Sequence, residues 1–232
     1  MPFAIPPRTR TSCRSRAKTK SSSFAIKSTA KPAGRRRISG EPTISIWRTS
    51  VPSARPLLDI RDVNICSVTA TAGFSKFVCG ISEIDEWSRT KAADRDRRNR
   101  SRVFCAVIDG DPSVLGFYSL SLRASDPKHV AAEIVRDYNE AGFVPLVYID
   151  YLAVQRELQG QKLGTLLLMD ALRRCREILR NTGCAGVALN ALTPQATTWY
   201  ERFGFRQRQK GVTQFPLMVL PAQSLLDLPD GR

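Results

Sequence analysis

The sequence predicts an α/β protein: a mixed central β-sheet flanked by helices, preceded by a disordered basic tail. Three observations point there. Dense apolar runs at 102–108, 114–122, 145–154, 186–192 and 216–220 have the length and β-branched content of strands. Between them lie segments whose apolar residues recur at helical spacing. Composition also breaks near residue 58. Residues 1–58 carry 13 Lys/Arg against one acid, Glu41, whereas residues 59–232 carry 23 Lys/Arg against 20 acids.

The tail is rich in Ser, Thr, Pro and Arg and lacks periodic apolar residues. Such a chain buries too little surface to offset backbone ordering, so residues 1–58 read as disordered. A nucleic-acid arm built on Arg35–Arg37 and a transit peptide are two readings of it. A start codon placed too far upstream is the preferred one, which leaves residues 59–232 as one domain. No apolar run reaches 18 residues, so no transmembrane helix is expected. Cys13, Cys66, Cys79, Cys105, Cys175 and Cys184 form no C-x-x-C pair, and His129 is the single histidine. A metal site is therefore not expected, Cys105 and Cys175 read as core residues, and the setting reads as reducing and cytoplasmic.

The first element of the domain is a helix starting at Ser82, with Ser82 as N-cap and Asp85 in the capping-box position. Within 82–100 its face of Ile84, Trp87 and Lys91 then turns highly charged. Next, "RVFCAVI" (102–108), the turn signal "DGDP" (109–112) and "VLGFYSLSL" (114–122) make an antiparallel hairpin. A short helix within 131–143 ends near Gly142. "PLVYIDYLAV" (145–154) is apolar enough for a strand buried on both faces. From Gly164 to Asn181, Leu167, Ala171, Cys175 and Ile178 form a helical stripe opposite Arg173, Arg174 and Arg176, with Gly183 as the stop. "GVALNAL" (186–192) is a strand. Thr193 and Pro194 open a helix as N-cap and first residue, running to Phe203. "PLMVL" (216–220) closes the sheet.

The corner "QGQKLG" (159–164) lies between the strand 145–154 and the long helix. A helix start presents unpaired N–H groups and the positive end of the helix dipole, which together favour an anion. Gly160 and Gly164 let a phosphate reach the main chain, Gln159 offers a side-chain donor and Lys162 a positive charge. The competing reading is a helix start with two incidental glycines. Neither a P-loop nor G-x-G-x-x-G is present.

The segment "YIDYLAVQRELQGQKLGTLLLMDAL" resembles the acetyl-CoA-binding segment of the GNAT acetyltransferase superfamily, whose motif is Q/R-x-x-G-x-G/A. Here Lys162 stands where the family usually has glycine, a placement that suits a helical backbone and not a positive φ. "NALTPQATTWYERFGF" (190–205) looks like the family's fifth strand and the helix after it. "FVCGISEIDEW" (77–87) resembles the F-x-C-G-x-x-x-L-D-x-W opening of a subgroup that contains bacterial toxin–antitoxin acetyltransferases. The three segments occur in family order over about 60–228.

The resemblance implies acetyl-CoA as co-substrate and no metal. Its pantetheine arm would bond the backbone of Leu152, Ala153 and Val154, and its pyrophosphate would lie on Gln159, Gly160, Gln161, Lys162, Leu163, Gly164 and Thr165. Asn190 would bond the cofactor's amides, unless it is a strand-end cap. Tyr200 would protonate the departing thiolate, unless it is a core aromatic, and a backbone N–H near Val154 would stabilise the oxyanion. No carboxylate stands out as general base; Asp150 and Glu157 are candidates by position.

The subgroup implies aminoacyl-tRNA as acceptor and a ribbon-helix-helix antitoxin as partner; a homodimer is left open. Arg173, Arg174, Arg176, Arg206, Arg208, Lys210 and the run 95–102 are candidates for RNA contact, or else solvated helix faces and turns. The alternatives are acetylation of a small amine or a protein lysine, and a non-catalytic relative that binds coenzyme A or an antitoxin.

Overall fold

In the computed structural model, residues 58–68, 73–207 and 215–227 are described. The expected tail, Arg208 and Lys210 lie outside them, apart from Leu58.

The elements follow from the apolar pattern. β1 (Val63–Ser67) precedes α1 (Ser82–Thr90) and α2 (Ala92–Arg97), and β2 (Arg102–Ile108) and β3 (Asp111–Ser125) form the hairpin. A single turn, α3 (Ala132–Val135), continues as a 3-10 helix to Ala141 before left-handed Gly142. β4 (Val144–Val154), α4 (Leu163–Asn181), β5 (Gly186–Asn190) and α5 (Pro194–Glu201) follow, and then the short β6 (Arg206–Gln207), β7 (Leu217–Pro221) and α6 (Ala222–Leu226).

The strands form a seven-stranded sheet in the order β1-β2-β3-β4-β5-β7-β6. Among the described strands β4 and β5 run parallel, and the other neighbours are antiparallel. The mixed sheet is thus as the sequence predicts.

Side-chain alternation sends β3 and β4 residues to both faces. On one face α4 buries Leu163, Leu167, Leu168, Ala171, Leu172, Cys175 and Leu179 against Tyr118, Leu120, Val147 and Ile149. Each fully buried leucine there contributes roughly 1.5–3 kcal/mol. On the other face α1 sets Trp87 against Phe117 and Tyr151, and Phe74, Phe77 and Phe117 meet edge to face.

Two helix ends differ from expectation. The N-cap of α1 is Ile81, with no side-chain cap, and Ser82 is already helical. Asp85 instead reaches back to accept hydrogen bonds from the amides of Cys79 (2.7 Å) and Gly80 (3.4 Å). This contact gives "CGISEID" a physical reason: the buried carboxylate fixes the turn that leads into the helix. Burial works against its ionisation, but the two amides and Arg89 hold it below the usual carboxylate range. At the other end of α4, extended Thr182 stops the helix and Gly183 is not left-handed. The cap on α5 is as expected: Thr193 Oγ1 accepts from the Ala196 amide at 3.1 Å, with Pro194 next.

Candidate active site

β4 pairs with β3 along its whole length, from Ser125↔Val144 to Gly116↔Val154. The register slips once: Leu120 faces Ile149 and Ser119 faces Tyr151, so Asp150 is an extra residue in a bulge. A bulge bends its strand and increases the local twist. On the opposite edge, β4 and β5 pair only at Leu146–Tyr148 with Gly186–Ala188. Beyond the bulge the two parallel strands part, leaving Leu152, Ala153 and Val154 without ladder partners on the β5 side.

A 3-10 turn (Arg156–Leu158) then carries the chain to the glycine corner. Gly160 is left-handed, with φ +83°, and so is Lys162, at φ 65° and ψ −1°. The sequence favoured a helical Lys162; the structure corrects this. The turn needs a left-handed residue immediately before α4, and an L side chain held there costs about 1–2 kcal/mol. The first intrahelical bond of α4 is Leu166 N–H to Lys162 C=O, at 3.1 Å. The amides of Leu163, Gly164 and Thr165 therefore emerge from the helix end without intrahelical acceptors.

Neither glycine of the corner is dictated by crowding. A Cβ at Gly160 would meet nothing within 4 Å, and one at Gly164 would make ordinary contact with Val154 Cγ2 at 3.7 Å. Gly164 and Thr165 are partly exposed at the positive end of a 19-residue helix, whereas Leu163 is fully buried. The corner follows directly on the parted stretch of β4, an arrangement that suits a slot for an extended ligand with an anionic end.

Other predicted residues are engaged with the protein itself. Gln159 donates from Nε2 to the carbonyls of Cys79 (2.8 Å) and Val154 (3.1 Å), fastening the turn before α1 to the end of β4. Its side chain is thus a structural tie and not the expected phosphate donor. Gln161 accepts from the Leu58 amide (2.9 Å) and donates to Glu157 C=O (3.4 Å). Asn190 accepts from the Tyr148 hydroxyl (2.9 Å) and donates to Phe215 C=O (3.2 Å), as a strand-end tie does.

Tyr200 is 9% exposed on α5, its ring against Trp199 (4.8 Å) and Phe205 (5.7 Å). Burial pushes its phenol up to about 12, so it keeps its proton at neutral pH.

The structure also assembles a group of which sequence reading singled out Asp150 and Asn190 but not Arg123 or Tyr148. The carboxylate of bulge residue Asp150 pairs with Arg123, whose guanidinium lies 4.4 Å over the Tyr148 ring. Tyr148 in turn bonds Asn190. The missing signal was strand length: β3 runs on to Ser125, three residues past the predicted end, and so carries Arg123.

The basic residues divide. Arg97 and Arg98 pair with Asp94, Arg102 with Asp96, and Arg173 and Arg174 with Asp170. Arg100, Arg102 and Arg174 line a groove of about 660 Å³ over Phe104, Leu120 and Val147. That groove lies by the C-terminal half of α4, at the opposite end from the glycine corner. Among the described residues no group of His, Cys, Asp or Glu could hold a metal ion, and no helix is long and apolar enough to cross a membrane.

The fold is thus a mixed sheet whose parallel strand pair parts ahead of a glycine-flanked helix start. The acetyltransferase (GNAT) family model matches residues 74–205, more than half of the chain, and the chain belongs to that family. A tRNA-acetylating toxin of Mycobacterium tuberculosis (strain ATCC 25618 / H37Rv) is 28% identical over 152 residues, 66% of this chain and 89% of that protein. The fold is shared with AtaT complexed with acetyl-methionyl-tRNAfMet, at TM-score 0.63 and 23% identity over 71% of this chain and 97% of that one. It is shared also with a tyrosine-to-phenylalanine mutant of the AtaT toxin bound to the C-terminus of the antitoxin AtaR and acetyl-CoA. There the TM-score is 0.58 and the identity 24% over 71% of this chain and 96% of that one.

Proposed function

We propose that this protein transfers the acetyl group of acetyl-CoA to the α-amine of an aminoacyl-tRNA, as the toxin of a toxin–antitoxin pair acting in the cytoplasm. The observation that carries the proposal is the slot formed where β4 leaves β5, ending at the open glycine corner. The RNA acceptor and the antitoxin rest on the relatives: a tRNA-acetylating toxin by sequence, and AtaT with its acetylated tRNA and its antitoxin by fold.

The residues divide the work by position. The backbone of Leu152–Val154, on the side where β4 turns away from β5, bonds the amides of the pantetheine arm, the Val154 carbonyl being shared with Gln159. The amides of Gly164 and Thr165 take the pyrophosphate, with the buried Leu163 anchoring the helix start, Gly160 leaving room and Lys162 adding charge. Gln159, Gln161 and Asn190 hold the walls of the slot. The acceptor amine adds its lone pair to the thioester carbon, and an N–H of the unpaired β4 stretch stabilises the oxyanion. The C–S bond then breaks and the Tyr200 hydroxyl gives its proton to sulfur. The amine's surplus proton leaves to solvent, which reprotonates Tyr200.

Incubation with charged tRNA and acetyl-labelled acetyl-CoA tests the proposal. The label is expected on the amino acid, recovered as its N-acetyl derivative after alkaline release from the RNA. Thiol release with polyamines or lysine peptides, with none on charged tRNA, would replace this acceptor by another.

A further inference from the structure

The group built on Arg123 lies around the β4 bulge, close to where β4 stops pairing with β5. Its geometry is specific. The Asp150 side chain is only 4% exposed and is covered by the guanidinium it pairs with, whereas Arg123 is 51% exposed. One face of the guanidinium rests on Tyr148. Ser121 accepts from its Nε at 3.5 Å, and Tyr148 is anchored through Asn190 to Phe215 C=O. The side chain is thereby held flat, its charge neutralised from below and its outer side open. Leu192 (42% exposed) and Phe215 (47% exposed) lie just past and beside Asn190, adding apolar surface to the same rim.

A charge-neutralised planar group backed by an aromatic ring is a poor phosphate clamp and a good stacking surface. Proteins that read single-stranded RNA stack splayed bases on aromatic rings and arginine planes. We infer that Arg123 is a specificity-determining residue whose guanidinium, mounted on Tyr148 and Asp150, stacks the terminal base of the RNA that carries the acceptor amine. The inference rests on the proposed RNA acceptor. It adds to it a reason why an amine attached to a nucleotide is preferred over a free one: the base docks beside the bulge from which β4 opens towards the thioester.

The test compares the wild-type protein with Arg123→Lys, which keeps a cation for Asp150 and removes the plane. The binding probe is an RNA hairpin whose unpaired 3′-terminal adenine is replaced by fluorescent 2-aminopurine, titrated without turnover. Stacking quenches the fluorophore. The expected result is quenching by the wild type that R123K loses, together with a rise of about tenfold in KM for charged tRNA, the effect of losing one base-stacking contact. The kcat, acetyl-CoA affinity and the slow acetylation of an aminoacyl amide lacking a nucleotide should be unchanged; unchanged acetyl-CoA affinity also shows that the variant is folded.

Equal quenching by both proteins, or none by either, overturns the stacking role. So does weaker hairpin binding by R123K with undiminished quenching at saturation, which places a phosphate on Arg123. An equal loss on the nucleotide-free amide overturns it as well and assigns Arg123 to the amine. Arg123-dependent quenching in a wild type that leaves charged tRNA unacetylated retains the platform and refutes the proposed reaction.

Discussion

Replacing Tyr200 by phenylalanine separates the two readings of that residue, because it removes one oxygen and leaves the ring. The contacts with Trp199 and Phe205 persist, so acetyl-CoA affinity should stay within about twofold. Loss of a general acid costs about 10²–10⁴ in rate, so single-turnover acetylation of charged tRNA at neutral pH should fall by that factor. Stability gives a second magnitude. Burial shifts the phenol from 10.0 to about 12. A group whose pKa is raised by folding stabilises the native state below its unfolded pKa, and that stability is lost as pH climbs through the folded value. Tyr200 thus accounts for a loss of about 1.4 kcal/mol by pH 11 and about 2.7 kcal/mol once pH passes 12. The Phe variant lacks this part of the alkaline decline, while Tyr118, raised by burial and by Asp170, contributes equally to both proteins. Urea unfolding from pH 9 to 11.5, beside single-turnover rates, measures both effects. Turnover within threefold of wild type removes Tyr200 from the chemistry, and parallel pH curves would show that its hydroxyl is not desolvated.

Five further substitutions, at four positions, test the framework by thermal or urea unfolding. Asp85→Ala should cost about 1–3 kcal/mol, because it strands the amides of Cys79 and Gly80. Asp85 is held below its ordinary pKa, so its stabilisation is present above about pH 4 and lost in more acid solution, and the Ala variant should show less of that loss. Ser82→Ala, by contrast, should stay within about 0.5 kcal/mol, since Ser82 caps nothing. Lys162→Gly relieves a left-handed side chain but frees the unfolded chain by a similar amount, so stability should change by less than about 1 kcal/mol, whereas Lys162→Val should lose more than about 1 kcal/mol. Gly186→Ala would set a Cβ 2.3 Å from the Leu220 carbonyl oxygen, where backbone must yield. An expected loss of about 2 kcal/mol or more should accompany weakened pairing of β5 with β7.

Elements whose own residues carry the periodicity were legible in the sequence. β2 (Arg102–Ile108) matches its apolar run residue for residue, and α4 begins one residue before its predicted start because leucine spacing over five turns outweighs local detail. β1 (Val63–Ser67) was not legible, because five residues of mixed polarity become a strand only when β2 offers a ladder. Likewise, nothing in "SRTKAAD" (88–94) marks the break at Lys91 that separates α1 from α2.

The candidate site divides in the same way. Sequence alone determined the sheet class, the long helix and the location of the glycine corner, since these follow from local patterning and from a motif that is contiguous in the chain. Tertiary structure alone decided which backbone is free and which side chains meet. The parting of β4 from β5 depends on a bulge in β4 and on how far β5 pairs beside it. The orientation of Gln159 depends on carbonyls that belong to two other segments. Arg123, Tyr148, Asp150 and Asn190 come from three strands and become neighbours only in the assembled sheet. Periodicity encodes which face a residue prefers; contacts across strands depend on register, and register is set by the whole sheet.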